Sequence, residues 1–186
     1  QAIFPEGGLS LDGRVGAAKM GLLSYIFTGF DARTDRDVIF VPVGLAYDRV
    51  LEDRLLTEAQ MEGTRRFRAK PWTIAAFVAR MVWRMIRGRF AGFGTAAAAF
   101  GPPVSLRAFM VASPGATTEA LGAHLMAEIT KVVPILSVPL VAAALLGGVA
   151  DRMDLLARMT QISGQLSGLG AVLKLPPQGL EAALTE

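Results

Sequence analysis

The feature that most constrains this chain is the order of its first 43 residues: an apolar start, a glycine-rich loop, a helix-periodic segment, a polar turn and a β-branched run. Ala2-Ile3-Phe4 reads as the end of a buried strand, and Pro5-Glu6-Gly7-Gly8-Leu9-Ser10-Leu11-Asp12-Gly13-Arg14 as the loop leaving it. From Lys19 to Phe27 the apolar residues Met20, Leu22, Leu23, Ile26 and Phe27 fall at helical spacing. Asp31 to Asp37 is polar and turn-forming. Val38-Ile39-Phe40-Val41-Pro42-Val43 is apolar without alternation, as in a strand covered on both faces. This strand–helix–strand order predicts an α/β fold, a mostly parallel sheet with flanking helices.

Further along, Ile74, Phe77, Val78, Met81, Val82 and Met85 recur at spacings of three and four between Trp72 and Arg87, with Arg80, Arg84 and Arg87 on another face. That is an amphipathic helix, and Pro71 suits its first turn. Thr95 to Phe100 reads as a strand stopped by Gly101-Pro102-Pro103, with Ser105 as cap of a short helix. Thr117 or Thr118 caps a clearer helix running to about Val133, with Glu119 in its first turn and Lys131 in its last. Val132 to Ala150 holds 19 residues without a charge, close to the roughly 20 that span a bilayer. Pro134, Pro139 and Gly147-Gly148 interrupt it, which favours a helix buried against the core. A further helix is expected over Asp151 to Gln165. The expected division is a domain part at 1–112 and a helical C-terminal region at 113–186.

Charge narrows the partners. Net charge is only +3, yet no Asp or Glu occurs between Glu62 and Glu119, while that interval holds Arg65, Arg66, Arg68, Lys70, Arg80, Arg84, Arg87, Arg89 and Arg107. Such a block calls for an anionic partner. Few aromatics are placed to stack bases and no nucleic-acid motif is present, so lipid headgroups fit better than nucleic acid. Trp72 and Trp83 would sit at the interface, with Arg80, Arg84, Arg87 and Arg89 on anionic lipid; the alternative is a solvated surface helix packed on a sheet. With no cysteine, disulfides, thiol catalysis and Cys-ligated zinc are excluded. Gly8 to Gly13 has Walker spacing but is followed by Arg14-Val15, and Gly92-x-Gly94-x-x-Ala97 lacks a strand–loop–helix context. No metal site and no cofactor are expected.

The loop itself has phosphate-binding chemistry. Its glycines let backbone N–H groups approach an anion, Ser10 adds a hydroxyl, and Arg14 and Lys19 add positive charge. Glu6 would orient an acceptor hydroxyl or hold the loop. Phe4-Pro5-Glu6-Gly7-Gly8-x-Ser10-x-x-Gly13-Arg14 resembles the third sequence block of the glycerolphosphate acyltransferase superfamily. Lys19 and Gly21 resemble the lysine–glycine segment after it in the glycerol-3-phosphate and dihydroxyacetone-phosphate branch. Ile39-Phe40-Val41-Pro42-Val43 is similar to the fourth block, Tyr47-Asp48-Arg49-Val50 to the element beyond it, and Phe100-Gly101-Pro102-Pro103-x-Ser105-Leu106 to the closing segment.

The resemblance implies acyl transfer from acyl-CoA or acyl carrier protein to the sn-1 hydroxyl of glycerol 3-phosphate, at the cytoplasmic face of a membrane and peripheral to it. It places Glu6, Gly7, Gly8, Ser10, Arg14 and Lys19 on the acceptor side, with Pro42 shaping the site. A lysophosphatidate acceptor, or a non-catalytic lipid-binding relic, are the alternatives. Two departures stand out. Leu9 and Leu11 occupy positions where the branch often has arginine, and the required His-x4-Asp pair is missing: the one histidine, His124, has Ile129 five positions on. The chain is therefore expected to be a C-terminal fragment, inactive alone, whose base precedes Gln1.

Overall fold

The structure, a computed structural model, describes residues 2–7, 14–48, 71–88, 95–149 and 151–184. Its elements are α1 (Gly21–Thr28), β1 (Ile39–Phe40), β2 (Val43–Tyr47), α2 (Pro71–Ile86), β3 (Ala96–Phe100), β4 (Val104–Ser105), α3 (Leu106–Ala112), α4 (Thr118–Val132), α5 (Ser137–Leu146), α6 (Arg152–Gly168) and a 3-10 turn at Ala182–Leu184. They fall into two compact units, one made of Gln1–Asp48 with Ala96–Glu186, the other of Arg49–Thr95.

In the first unit the strands form an antiparallel ribbon with one irregularity. β1 pairs with β4, Ile39 opposite Ser105 and Phe40 opposite Val104. β2 pairs with β3, from Val43 opposite Phe100 to Tyr47 opposite Ala96. Between the two pairings, Val41-Pro42 faces the longer segment Gly101-Pro102-Pro103, so the second strand carries an extra residue, as in a β-bulge. Prolines lack the ladder N–H and are tolerated at such breaks. The link that survives is Gly101 N donating to Pro42 O at 2.8 Å.

Mixed α/β architecture is observed, but the expected mostly parallel sheet is not: the described sheets are short, two-stranded and antiparallel. A β-branched run favours a strand without choosing its partner's direction. Here β2 pairs antiparallel with β3, Tyr47 opposite Ala96. Ile39, Val41 and Val43 are accordingly exposed, against the expectation of burial on both faces. Ala2–Phe4 forms no strand, and Phe4 is 78% exposed.

Within the first unit, α1, α3 and α4 pack against the ribbon. Leu23 of α1, Leu106 of α3, and Leu121 and Leu125 of α4 form a buried cluster, with Phe27, Phe40, Phe109 and Met110 around it. The caps are those the sequence indicates: Ser105 Oγ accepts from Ala108 N at 3.0 Å, and Thr117 Oγ1 from Ala120 N at 3.3 Å. α4 ends directly on β2 at Gly44, which is buried; a Cβ there would lie 2.5 Å from Val132 O.

A second cluster, Leu140, Ala144, Met159 and Ala183, holds α5 and α6 against the 3-10 turn. It is closed by a parallel bridge between Ile135 and Leu173, with Ile135 N donating to Val172 O at 2.8 Å. The charge-free stretch thus yields a ten-residue helix whose Pro139 sits in the first turn, where no donor is needed. No described helix is long and apolar enough to cross a membrane.

Candidate functional site

The glycine-rich loop leaves the apolar start through a tight turn. Gly7 N donates to Phe4 O at 3.0 Å, Pro5 presets the first central position, and Gly7 has φ +62°, a conformation that favours glycine. Gly8 and Ser10 lie outside the described residues, so the structure carries no placement for these two candidates. The chain is described again from Arg14, which is exposed.

Three bonds then join the two ends of the loop. Lys19 N donates to Pro5 O at 2.7 Å, Gly16 N donates to Glu6 Oε1, and Lys19 Nζ donates to Gly7 O at 3.2 Å. The lysine stem lies across Gly7 so closely that a Cβ there would be 2.6 Å from Lys19 Cδ. Glu6, Gly7 and Lys19 are therefore brought together, and the lysine ammonium is held at the loop's neck by a carbonyl. Beside it is a cleft of about 320 Å³ lined by Ile3, Phe4, Pro5, Lys19, Gly21, Leu22 and Leu23. Lys19 supplies the charge in an otherwise apolar wall.

Pro42 is buried and is placed by the ribbon bulge, its carbonyl bound by Gly101 N. A polar junction near the same ribbon had no signal in the sequence. Asp37 Oδ2 accepts from Ser105 Oγ at 2.6 Å and Oδ1 from Arg107 N at 3.0 Å. The Ser105 hydroxyl, then the Arg107 N–H, hold the Asp37 carboxyl below its ordinary range. Arg107 Nη2 also donates to Asp35 O. These partners are nearly seventy positions apart, so local spacing could not show them. His124 is exposed and stacked on Phe109, ring centroids 5.5 Å apart, and is not paired with an aspartate at the acyltransferase spacing.

The second unit carries the other candidates. On α2, Trp72 and Trp83 are exposed, as are Arg80 and Arg87, and Arg87 Cζ lies 3.9 Å from the centre of the Trp83 ring. That contact is a cation–π pair. Val78, Val82, Met85 and Ile86 are exposed with them. Arg84 belongs to the same helix, its side chain outside the described set, and Arg89 lies outside the described residues. Among the described residues no group of carboxylates and histidine could hold a metal ion.

No protein-family model matches the chain. It is 29% identical over 108 residues to the glycerol-3-phosphate acyltransferase 1, mitochondrial, of Sus scrofa, covering 58% of this chain and 12% of that protein. It is 27% identical to the glycerol-3-phosphate acyltransferase of Pseudomonas fluorescens strain SBW25, covering 91% of this chain and 21% of that protein. The enzyme of strain Pf0-1 is 28% identical over 81% of this chain and 19% of its own length. The chain thus spans between about a tenth and a fifth of the length of these relatives. These similarities support the glycerol-3-phosphate acyltransferase branch to which the sequence blocks point.

Proposed function

We propose that the chain forms the acceptor side of an enzyme that moves a fatty acyl group from acyl-CoA or acyl carrier protein to the sn-1 hydroxyl of glycerol 3-phosphate, in phospholipid synthesis. The observation that carries this reading is the neck-closed glycine-rich loop, with the Lys19 ammonium held against Gly7 O at 3.2 Å. An ammonium has three donors. With one directed to the carbonyl, two remain for phosphate oxygens, while Gly7, Gly8, Ser10 and Arg14 supply the rest of an anion cradle. Glu6 belongs to the same side, and Pro42 shapes the ribbon next in sequence. In this reading residues 1–112 carry the acyltransferase part, and 113–186 brace it through Leu121 and Leu125.

The chemistry requires a general base at the attacking hydroxyl. The chain has no His-x4-Asp pair, so the reading requires that base from outside these residues. The protein would work at a lipid surface, peripheral on the cytoplasmic face. Trp72 and Trp83 would enter the interface, and Arg80, Arg84, Arg87 and Arg89 would meet anionic headgroups, each contributing about 1 kcal/mol.

The test is CoA release from an acyl-CoA with glycerol 3-phosphate and anionic liposomes, for this chain and for the chain extended upstream with its native sequence. Turnover by the extended protein alone supports the reading. Turnover by these residues alone would overturn the account of the base. Silence from both, with liposome binding retained, would favour a non-catalytic lipid-binding role.

A further inference from the structure

We infer that the outward face of the ribbon is a docking surface for an amphipathic helix from a further part of the same polypeptide, in the longer form that the relatives have. Burial alternates along the first strand with a period of two. Ile39, Val41, Val43, Leu45 and Tyr47 are exposed, while Pro42 and Gly44 are buried and Phe40 packs against the Leu23 cluster. The paired strand keeps the same phase: Phe100, Ala98 and Ala96 are exposed opposite Val43, Leu45 and Tyr47. An antiparallel sheet with one wet face normally puts polar side chains on it. None of these outward residues is charged, and Tyr47 alone carries a polar side-chain atom. The face would need covering whichever reaction the protein performs.

Its relief selects the shape of the occupant. Ala96 and Ala98 lie beside Tyr47 and Leu45, so small side chains run along a row of large ones, with Phe100 at the end. The apolar stripe of a helix can settle into that lane. Area decides between a second copy and more of the same chain. From the strand rise and spacing, the face over residues 39–47 is about 30 Å long and about 10 Å wide. Stacking two copies would cover about 600 Å² in all, half of the roughly 1,200 Å² at which stable, specific complexes begin. A helix joined to the ribbon by the chain needs less, because connection replaces free association with a high effective concentration. The relatives have the material for it: this chain spans between about a tenth and a fifth of their length. A lipid surface fits less well, since the face carries no cation to hold anionic headgroups.

The chain has no cysteine, so single thiols report the face directly. Leu45→Cys lies on it, and Ser167→Cys, at an exposed position of α6, sets the rate of an open thiol. Maleimide labelling is compared in this chain and in the chain extended with its native flanking sequence, any other cysteine replaced. In this chain the two positions should react at similar rates. In the extended protein position 45 should slow by on the order of a hundredfold, since a covered thiol reacts only when its cover opens. A bifunctional reagent on the same thiol should capture a segment with apolar residues at spacings of three and four; capture of an alternating, strand-like segment would overturn the helix. Leu45→Lys gives a second reading. It should leave the Tm of this chain within about 2 °C and lower that of the extended protein by several degrees, because the ammonium would be buried without a partner. Equal labelling at position 45 in both proteins overturns the inference. Protection that is present in this chain and grows with its concentration would assign the face to a second copy, and protection that needs liposomes would assign it to a lipid surface; either result overturns it too.

Discussion

Replacing Gly44 with alanine puts a methyl group where the structure has backbone. The new Cβ would lie 2.5 Å from Val132 O and 2.6 Å from both Val132 C and Val133 Cα, at the end of α4. None of these atoms is the tip of a flexible side chain, so the end of the helix must retreat by about 0.9 Å to reach ordinary contact. Gly44 is itself fixed by its pairing opposite Ala99, and Gly101 nearby meets the same helix end through Val132. Overpacking a well-filled site costs about 1–3 kcal/mol, and a clash with backbone on one side and a paired strand on the other belongs at the top of that range. We expect about 3 kcal/mol, equivalent to a fall in Tm of roughly 6–12 °C for a chain of this size. Urea denaturation should show a lower midpoint at unchanged slope. The control is Gly164→Ala in α6, where a Cβ meets nothing within 4 Å. There alanine should stabilise by about 0.5–1 kcal/mol through helix propensity. A Gly44→Ala protein within about 0.5 kcal/mol of the parent would show that α4 does not rest on the ribbon as described.

Two other perturbations test the rest of the fold. Asp37 has a depressed pKa in the folded state, so its contribution is present above the unfolded value of about 3.9 and is lost as pH falls through the lower folded value. The stability gap between the parent and Asp37→Asn should therefore be constant near neutrality and shrink below about pH 4; a gap unchanged down to pH 2.5 would remove Asp37 from the junction. Met159→Ala, at a fully buried site packed with Leu140, Ala144 and Ala183, should cost about 2–5 kcal/mol by thermal or chemical denaturation. A smaller loss would mean that the second cluster is not a packed core.

Among the described residues helix placement was legible because it depends on local chemistry. Thr117, Ser105 and Asp151 cap the helices that follow them, and the apolar spacings before Phe27 and after Pro71 coincide with α1 and α2. The acceptor loop was legible in part: Gly7 and Lys19 could be chosen by residue type, and the structure ties them together. What Glu6 does was left open between orienting a hydroxyl and holding the loop, since sequence shows a carboxylate but not its partner. Its bond to Gly16 N needs the turn at Pro5 and the return of the chain, which are properties of a closed loop.

Strand direction was beyond the sequence. Val38 to Val43 has the composition of a strand covered on both faces, and composition is the same whichever way its neighbour runs. The structure pairs it with antiparallel partners, β4 and β3, and the extra residue in Gly101-Pro102-Pro103 decides where the ribbon breaks. The junction of Asp37 with Ser105 and Arg107, and the seat of α4 on Gly44, have the same origin. Caps and amphipathic faces are set within a few residues by covalent geometry and can be read in one dimension. Pairings across long stretches of chain form only when burial of Leu23, Leu106, Leu121 and Leu125 brings those stretches together, and that choice is made in three dimensions.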